Sequence, residues 1–306
     1  TVFCSADQYE TARTRLPEGV RVVEMTIDDA WAQDKGPFYV VNDKGDMRGV
    51  TWGWNAYGGL EGGLYFPWKR DQEFATKLLD LENYDAYDAT KMVFEGGAMQ
   101  IDGEGTLIVT ENSVLNHNRN PHLTKEEAEW YFKEYMGLEK VIWLKDGMAF
   151  DETDGHIDDV CFFVRPGVLA LSWTDDEDNP FYEAAHAAYE TLSNATDAKG
   201  RALKVHKLTM PKEPTYMTQE EVDAIDVVEG TIPRTTEDVC IASYMNFLIG
   251  NDFVLVPQYD DEYDEMALQQ VQQMFPEREV VGVPTREVVY GGGNIHCITQ
   301  QQPAGV

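Results

Sequence analysis

The sequence has few basic residues and no long apolar run, and each shortage excludes a class of partner. Lys and Arg number 24 against 55 Asp and Glu, which gives a formal charge of −31 over 306 residues. A chain this acidic repels phosphate backbones, so we expect no nucleic-acid partner. No segment approaches the roughly 18 uninterrupted apolar residues of a membrane helix, so we expect no membrane partner. The acidity has two open interpretations, attraction of a cationic substrate or simple solubility.

The chain also lacks the features of an exported or a divided protein. Its N-terminal residues contain no basic segment followed by an apolar one, so no secretory signal is predicted. It begins at Thr1 rather than at a methionine, which predicts a fragment or a processed form. No Pro/Ser-rich linker or low-complexity tract divides it, and 43% hydrophobic residues suffice for one extended domain or two ordinary ones.

Cysteine is scarce, and its placement argues against a disulfide framework. The four cysteines, Cys4, Cys161, Cys240 and Cys297, include no C-x-x-C pair, which disfavours a zinc ribbon and indicates a reducing cytoplasm. The first three lie in apolar runs, where a free cysteine is usually a small core residue. Cys297 instead follows three glycines in GGGNIHC, a run that indicates a sharp turn or a close approach to the backbone. Cys297 is therefore a candidate nucleophile, metal ligand or buried core residue.

What the sequence does contain is a repeated order of predicted helices and strands. A helical pattern precedes a compact β-rich run in residues 8–25, 71–97, 124–144, 182–208 and 264–283. Between these segments lie pairs of predicted strands joined by turn residues, at 36–52, 98–110 and 161–173. The recurring strand–strand–helix–strand unit of roughly 50 to 60 residues predicts a radial or stacked α/β repeat. In a radial arrangement, the loops at one end of every unit converge on the axis.

Candidate functional residues lie in four loops that each follow a predicted strand. These loops are DDAWAQDKGP (28–37), FEGGAMQIDGEG (94–105), DETDGHIDD (151–159) and GGGNIHC (291–297). His156 and Asp158 form an H-x-D, and in an extended segment both side chains would face one site. Glu95 precedes two glycines at a strand end, and Asp34 follows Trp31 at a similar corner. Taken singly, each has an ordinary explanation as a surface pair, a turn or a capped loop.

Taken together, one thiol, one histidine and three carboxylates suit an attack on a guanidinium group. Paired carboxylates bind this planar cation bidentately, a thiolate can attack its central carbon, and a histidine can move the protons. A nearby cation lowers the pKa of a thiol, and a bound guanidinium is such a cation. The alternative is a zinc site, although the mixture of ligands would be unusual. Its ligands would be His156, Asp158, Glu95 and Cys297.

Five segments carry a more specific resemblance. They are GGGNIHCITQQQP (291–303), EGG with the DGEGT that follows it, LNHNRNPH (115–122), DETDGHID (151–158) and WTDDE (173–177). From about residue 2 to residue 303 the chain resembles the agmatine deiminase family, also called agmatine iminohydrolases, and in particular its plant and algal members. The resemblance implies the α/β fold of the guanidino-group-modifying (pentein) superfamily, a five-bladed propeller of ββαβ modules with pseudo-fivefold symmetry around a polar site. We expect residues 1–306 to form this propeller as a single catalytic domain with an incomplete first blade.

The resemblance also implies the site residues. The expected catalytic residues are Cys297, His156, Glu95, Asp34 and Asp158. The expected substrate-binding residues are Trp31, Glu152, Asp154, Gly293 and Asn294. In this scheme Cys297 is the nucleophile and His156 the general acid/base, with Glu95 pairing His156 or the substrate. Asp34 and Asp158 hold the guanidinium, Trp31 walls the pocket, and Glu152 meets the distal ammonium of agmatine.

The implied reaction is a hydrolysis that serves putrescine and polyamine biosynthesis. The thiolate adds to the guanidinium carbon, ammonia leaves, and an amidino-cysteine intermediate forms. Water then releases N-carbamoylputrescine, and no metal or organic cofactor is implied. The resemblance allows a homodimer and a cytoplasmic location.

The chain departs from the family pattern at four positions. Gln33 stands where an arginine is usual, which removes an expected buried ion pair behind Asp34. Ala98 and Gln100 replace a hydroxyl and an imidazole in the EGG segment, and Asp154 replaces an asparagine, adding a negative charge beside His156.

Two other functions stay open on the sequence alone. The substrate could be free or peptidyl arginine, whose carboxylate or backbone would need a cationic partner. Arg119 in LNHNRNPH is the one nearby candidate for that partner. The protein could also be a non-catalytic propeller that binds guanidines or polyamines.

Overall fold

The computed structural model describes residues 1–304. Its strands are β1 (Val2–Cys4), β2 (Val22–Glu24), β3 (Phe38–Val41), β4 (Met47–Gly53), β5 (Ala86–Val93), β6 (Gln100–Ile101), β7 (Thr106–Thr110), β8 (Lys140–Leu144), β9 (Cys161–Arg165), β10 (Val168–Trp173), β11 (Lys204–Thr209), β12 (Thr215–Tyr216), β13 (Val239–Cys240), β14 (Leu248–Ile249), β15 (Phe253–Gln258) and β16 (Glu279–Pro284). Its helices are α1 (Tyr9–Arg15), α2 (Ala32–Lys35), α3 (Gly59–Gly62), α4 (Lys69–Gln72), α5 (Phe74–Glu82), α6 (Glu111–Val114), α7 (Lys125–Met136), α8 (Tyr182–Ser193), α9 (Gln219–Asp223), α10 (Asp264–Met274) and α11 (Arg286–Val289). Two 3₁₀ turns span Gly96–Ala98 and Ile157–Asp159.

Four three-stranded sheets repeat one topology. In each, the middle strand pairs antiparallel with the strand before it and parallel with the strand after the helix. The sheets are β3–β4–β5, β6–β7–β8, β9–β10–β11 and β14–β15–β16, with crossover helices α5, α7, α8 and α10. A fifth unit contains the parallel pair β1 and β2, joined through α1. The small hairpin β12–β13 lies between the last two units.

The crossover helices form because their apolar residues recur one turn apart. In α7, Ala128 and Phe132 are fully buried while their neighbours face solvent. The helix begins at Thr124, which forms a reciprocal capping box with Glu127, at 2.8 and 3.2 Å. It ends at Gly137, whose φ of 67° closes the last turn in the left-handed region. Helices α8 and α10 bury the same kind of stripe, at Ala185, Ala188 and Leu192 and at Ala267, Val271 and Met274.

Each main apolar core is shared by two consecutive units. One core joins β3–β5 to β6–β8 through residues such as Phe94 and Leu107. A second joins β7 and β8 to β9–β11 through Ile142 and Leu169, and a third continues from β10 to β15. Because neighbouring units pack against each other in chain order, loops from distant parts of the sequence can reach a common centre.

The predicted order of helices and strands agrees with these elements, and the main error of boundary lies in residues 71–97. The helical pattern of that segment, DQEFATKLLDLENYDAYD (71–88), ends as a helix at Glu82, where Asn83 takes a left-handed φ of 58°. Strand β5 then begins at Ala86, within the stretch predicted as helical. The helix ends before Tyr84 because Asn83 adopts the left-handed conformation that closes a helix. Within residues 1–304, no helix combines the length and the apolar character needed to cross a bilayer.

Candidate active site

Three of the four loops singled out in the sequence line one small cavity, and the fourth, residues 94–105, packs against His156 through Glu95 and Gly97. The cavity lining includes Trp31, Asp34, Tyr57, His156, Gly293 and Cys297. Asp34 is held in the short helix α2, although a strand-end corner was predicted there. His156 begins the 3₁₀ turn Ile157–Asp159, so the extended H-x-D segment predicted from the sequence is wrong. The tight turn still brings the His156 ring and the Asp158 carboxylate to the same side, since both lie next to Gly97.

The Asp34 carboxylate is oriented by two donors. The Tyr57 hydroxyl donates to Oδ2 at 2.7 Å, and the Gly97 backbone N–H donates to Oδ1 at 2.7 Å. Burial raises the pKa of Asp34 to about 6, against the lowering effect of His156 and these two hydrogen bonds. The carboxylate is therefore fixed in direction but incompletely compensated in charge, which favours a cationic ligand beside it.

His156 lies between two carboxylates. Its Nδ1 is 3.7 Å from Asp34 Oδ1 and its Nε2 is 3.7 Å from Glu95 Oε2. Burial alone would lower the pKa of His156, but Asp34, Glu95 and Asp158 raise it to about 10. At neutral pH the ring is therefore an imidazolium, ready to donate a proton.

Glu95 is held as a carboxylate by a buried arginine. Arg119 Nε donates to Glu95 Oε1 at 2.6 Å, and both side chains are almost fully buried. Burial opposes the ionisation of Glu95, but Arg119 and His156 lower its pKa to about 2. Arg119 also donates to Asp154 Oδ2 at 2.6 Å and to the Thr153 carbonyl at 3.1 Å. Its donors are thus engaged behind the site, away from a substrate carboxylate.

Asp158 joins the nucleophile candidate to a second histidine. The Cys297 thiol donates to Asp158 Oδ2 at 3.4 Å, and His296 Nδ1 lies 2.7 Å from the same oxygen. The other carboxylate oxygen, Oδ1, is buried and has no hydrogen-bond partner within residues 1–304. His156 Nε2 is likewise buried and without a hydrogen bond among the described residues. Buried polar atoms in proteins normally have partners, so this pair indicates room for a polar ligand.

The Cys297 sulfur is surrounded by oxygen-rich groups and one amide. Asn246 Nδ2 donates to Sγ at 3.1 Å and to Asp159 Oδ1 at 3.1 Å. Burial and the charges of Asp158, Asp159 and Asp34 raise the pKa of Cys297 well above its usual value. Burial and Asp158 also raise the pKa of Asp159, which favours its neutral form. The sulfur is therefore held as a thiol, and a bound cation would favour its ionisation.

Two glycines make the close packing of these groups possible. An added Cβ at Gly97 would lie 2.5 Å from His156 Nδ1 and 2.8 Å from Asp34 Oδ1. An added Cβ at Gly293 would lie 2.9 Å from the Trp31 ring and 3.0 Å from Cys297 Sγ. Only glycine allows the backbone to pass this near to the functional side chains.

The structure separates the expected substrate-binding residues into two groups. Trp31 and Gly293 line the cavity beside Cys297. Asp154 instead forms an ion pair with Arg119 outside the lining, and Asn294 is buried with its amide donating to the Tyr259 hydroxyl at 3.1 Å. Glu152 lies at the cavity edge but is already paired with Arg234.

The positions that depart from the family pattern lie immediately behind the site. Gln33 is buried, its backbone N–H donates to the Cys297 carbonyl at 3.0 Å, and its Oε1 has no partner among residues 1–304. Ala98 is fully buried, and Gln100 accepts the backbone N–H of Phe163 at 3.4 Å. Within the described residues, no three His, Cys, Asp or Glu side chains form a group suited to a metal ion.

Sequence reasoning missed three residues of this site. Tyr57 hydrogen-bonds to Asp34, Asn246 hydrogen-bonds to Cys297, and Asp159 accepts a hydrogen bond from Asn246. None of these three was singled out in the sequence. Asp159 was inside a quoted motif, and Tyr57 precedes two glycines in NAYGG, which is a weak turn signal. Asn246 lies in an apolar stretch and gave no signal.

Similarity to known proteins agrees with the chemistry that the site residues suggest. A family model described as Porphyromonas-type peptidyl-arginine deiminase matches residues 1–303. The agmatine deiminase of Pseudomonas aeruginosa strain LESB58 is 54% identical over 305 residues, which cover 99% of this chain and 83% of that protein. A solved structure of the agmatine deiminase of Enterococcus faecalis matches with a TM-score of 0.95 and 51% identity, covering 99% of this chain and 83% of that chain.

A more distant structure shows the same fold. The C. jejuni agmatine deiminase matches with a TM-score of 0.80 at 24% identity, covering 99% of this chain and 82% of that chain. These matches confirm the predicted α/β fold as that of the agmatine deiminases, and the five-bladed propeller of the guanidino-group-modifying superfamily stays a prediction. The pseudo-fivefold symmetry, the single-domain organisation and the likeness to plant and algal members stay predictions. The chain belongs to the Porphyromonas-type peptidyl-arginine deiminase family, and within it to the agmatine deiminases.

Proposed function

We propose that this protein hydrolyses agmatine to N-carbamoylputrescine and ammonia, a step of polyamine biosynthesis. The observation that carries the proposal is one buried cavity that holds Cys297 Sγ together with His156 and Asp34. Asp158, 3.4 Å from the sulfur, adds a second carboxylate with an unpartnered oxygen within residues 1–304. Named agmatine deiminases at 54% and 51% identity support agmatine as the substrate.

Binding of the guanidinium prepares the nucleophile. Asp34 in the cavity lining and Asp158 beside the Cys297 sulfur offer carboxylate oxygens, which suit a planar cation with several N–H donors. The cation offsets the negative charges that raise the pKa of the Cys297 thiol, so binding drives release of the thiol proton. Asn246 then donates to the thiolate at 3.1 Å and stabilises it.

The reaction proceeds by two displacements at the guanidinium carbon. The thiolate forms a C–S bond, and the His156 imidazolium gives its proton to the departing nitrogen, which leaves as ammonia. The neutral imidazole then takes a proton from water while the water oxygen bonds to the same carbon. The C–S bond breaks, the thiolate returns, the proton left on the new oxygen passes to solvent, and N-carbamoylputrescine is released.

The arginine alternative is disfavoured by the contacts of Arg119. This residue was the sequence candidate for a substrate carboxylate, but it donates to Glu95 and Asp154 at 2.6 Å each. Rates on agmatine and on free arginine, measured side by side, test this point. Faster turnover of arginine would overturn the choice of substrate.

The deciding experiment is mass spectrometry of the protein after a short incubation with agmatine. We expect an added amidine mass on the peptide that contains Cys297, and its absence in Cys297→Ala. Cys4→Ala is the control, since Cys4 is a buried cysteine outside the site. Agmatine that binds but is never consumed would favour the non-catalytic alternative. The four unpaired thiols support a cytoplasmic location as part of the same proposal.

A further inference from the structure

Glu152 lies beside the glycine turn of the cavity lining, next to Gly292. An added Cβ at Gly292, a residue of the cavity lining, would lie 2.7 Å from Glu152 Oε2. An added Cβ at the next residue, Gly293, would lie 3.0 Å from Cys297 Sγ. Two consecutive glycines of the cavity lining thus lie against the Glu152 carboxylate and the Cys297 sulfur.

The Glu152 carboxylate is already occupied by a cation of the protein itself. Both guanidinium nitrogens of Arg234 donate to it, Nη1 to Oε1 and Nη2 to Oε2, the latter at 2.8 Å. The two side chains are only 20% and 25% exposed, so solvent screens this pair less than a surface ion pair. Bidentate arginine–carboxylate pairs of this kind are among the stronger charged contacts.

Backbone contacts hold Arg234 at this position. It belongs to a segment, residues 228–235, that passes over the residues next to Leu64 of the cavity lining. Gly230 accepts the N–H of Phe66 at 2.9 Å, and Thr231 forms an antiparallel bridge with Tyr65. The segment therefore presents the Arg234 guanidinium to Glu152 from outside the cavity.

We propose that Arg234 is a specificity-determining residue that pairs with Glu152 until substrate binds and then yields this carboxylate to the terminal ammonium of the substrate. The proposal rests on the proposed function and extends it to the distal end of the substrate. The ammonium of agmatine competes with Arg234 for one carboxylate, whereas a guanidine with an uncharged tail does not compete. The larger the fraction of protein molecules in which Arg234 is paired with Glu152, the weaker the apparent affinity for agmatine.

The test compares agmatine with butylguanidine, which has the same reacting group and no terminal ammonium. We expect Arg234→Gln to lower KM for agmatine by about three- to tenfold while kcat and the KM for butylguanidine change less than about twofold. Arg234→Lys keeps the charge but not the bidentate geometry, so its KM for agmatine is intermediate. Arg286→Gln is the matched control, because Arg286 forms a similarly exposed pair with Glu221.

Glu152→Gln separates this competition from a structural role. We expect it to raise KM for agmatine, to leave butylguanidine unchanged, and to cancel the effect of Arg234→Gln in the double variant. A rise of KM for agmatine in Arg234→Gln, an equal change for both substrates, or an effect that survives Glu152→Gln would overturn the proposal. If the unchanged protein consumes no agmatine, the proposed function fails instead. In that case, the dissociation constants of the two guanidines, measured by calorimetry on the same variants, test the role of Arg234 independently of catalysis.

Discussion

Asn246 Nδ2 donates to Cys297 Sγ at 3.1 Å across 51 residues of sequence. The same side chain accepts the backbone N–H groups of His296 and Cys297 through Oδ1, at 2.9 and 3.4 Å. One amide therefore both orients the turn that carries the cysteine and places a donor on its sulfur. This contact is the only one of the described residues in which an uncharged side chain hydrogen-bonds to that sulfur.

Asn246→Ala should slow catalysis more than it weakens binding. The lost donor stabilises the thiolate that attacks and later leaves, so we expect kcat to fall by about 10²-fold with a smaller change in KM. Steady-state kinetics with agmatine measure both constants. Asn194→Ala, at the exposed end of α8, is the control and should retain both. An unchanged kcat with a raised KM would contradict the role given to Asn246.

Agmatine binding should weaken in acid because Asp34 must be ionised to hold the guanidinium. The pKa of Asp34 is about 6, so the carboxylate is charged above that pH and becomes neutral below it. We expect the dissociation constant of agmatine, measured by calorimetry on Cys297→Ala, to rise up to about tenfold per pH unit below about pH 6.

Tyr57→Phe should move this acid transition to higher pH. The Tyr57 hydroxyl donates to Asp34 at 2.7 Å and favours the charged carboxylate, so its removal raises the pKa of Asp34 further. Tyr39→Phe is the control, because the Tyr39 ring packs on Tyr84 away from the cavity lining. A transition that stays in place in Tyr57→Phe would assign it to another group.

Arg119→Met should destabilise the fold strongly. The substitution leaves Glu95 buried beside no compensating guanidinium, and breaking such a pair costs about 3–5 kcal/mol of unfolding free energy. Urea denaturation measures the loss. Arg48→Met removes an arginine from an exposed pair with Asp85 and should cost less than about 1 kcal/mol. Equal losses of unfolding free energy in the two variants would contradict the stabilising role of the buried Arg119–Glu95 pair.

Stability should fall in alkali because His156 is held protonated. The pKa of His156 is about 10 in the folded protein, above the ~6.5 of an unfolded chain. A raised pKa contributes stability that is fully present below about pH 6.5 and is lost as the pH rises through about 10. We expect His156→Gln to flatten the unfolding free energy over this range. A slope identical to that of the unchanged protein would contradict the shift.

The sequence predicted the parts of the fold that depend on local pattern. Helix α7 was predicted from the helical pattern TKEEAEWYFKEYMG (124–137), because its apolar stripe and its capping box at Thr124 arise from residues within one or two turns. The four loops and the cysteine were also identified, since glycines and charged residues at strand ends are unusual in sequence. The propeller itself was named from the resemblance rather than from periodicity.

The remaining site residues depend on contacts that no local pattern records. Asn246 is adjacent to apolar neighbours in SYMNFL and acquires its role only when it packs under Cys297. Arg119 was considered for a substrate carboxylate, but the folded chain directs it to Glu95, 24 residues away. The pairing of Glu152 with Arg234 spans 82 residues and was equally invisible.

The hydrogen bond from the Gln33 N–H to the Cys297 carbonyl has a consequence for biosynthesis. Cys297 follows every other group of the site in the order of translation, so no nascent chain can contain a complete site before its last unit is made. The sulfur also emerges into a surrounding of Asp34, His156 and Asp158 that has already been synthesised. The hydrogen bond between Gln33 and Cys297 can therefore form only after translation has passed Cys297.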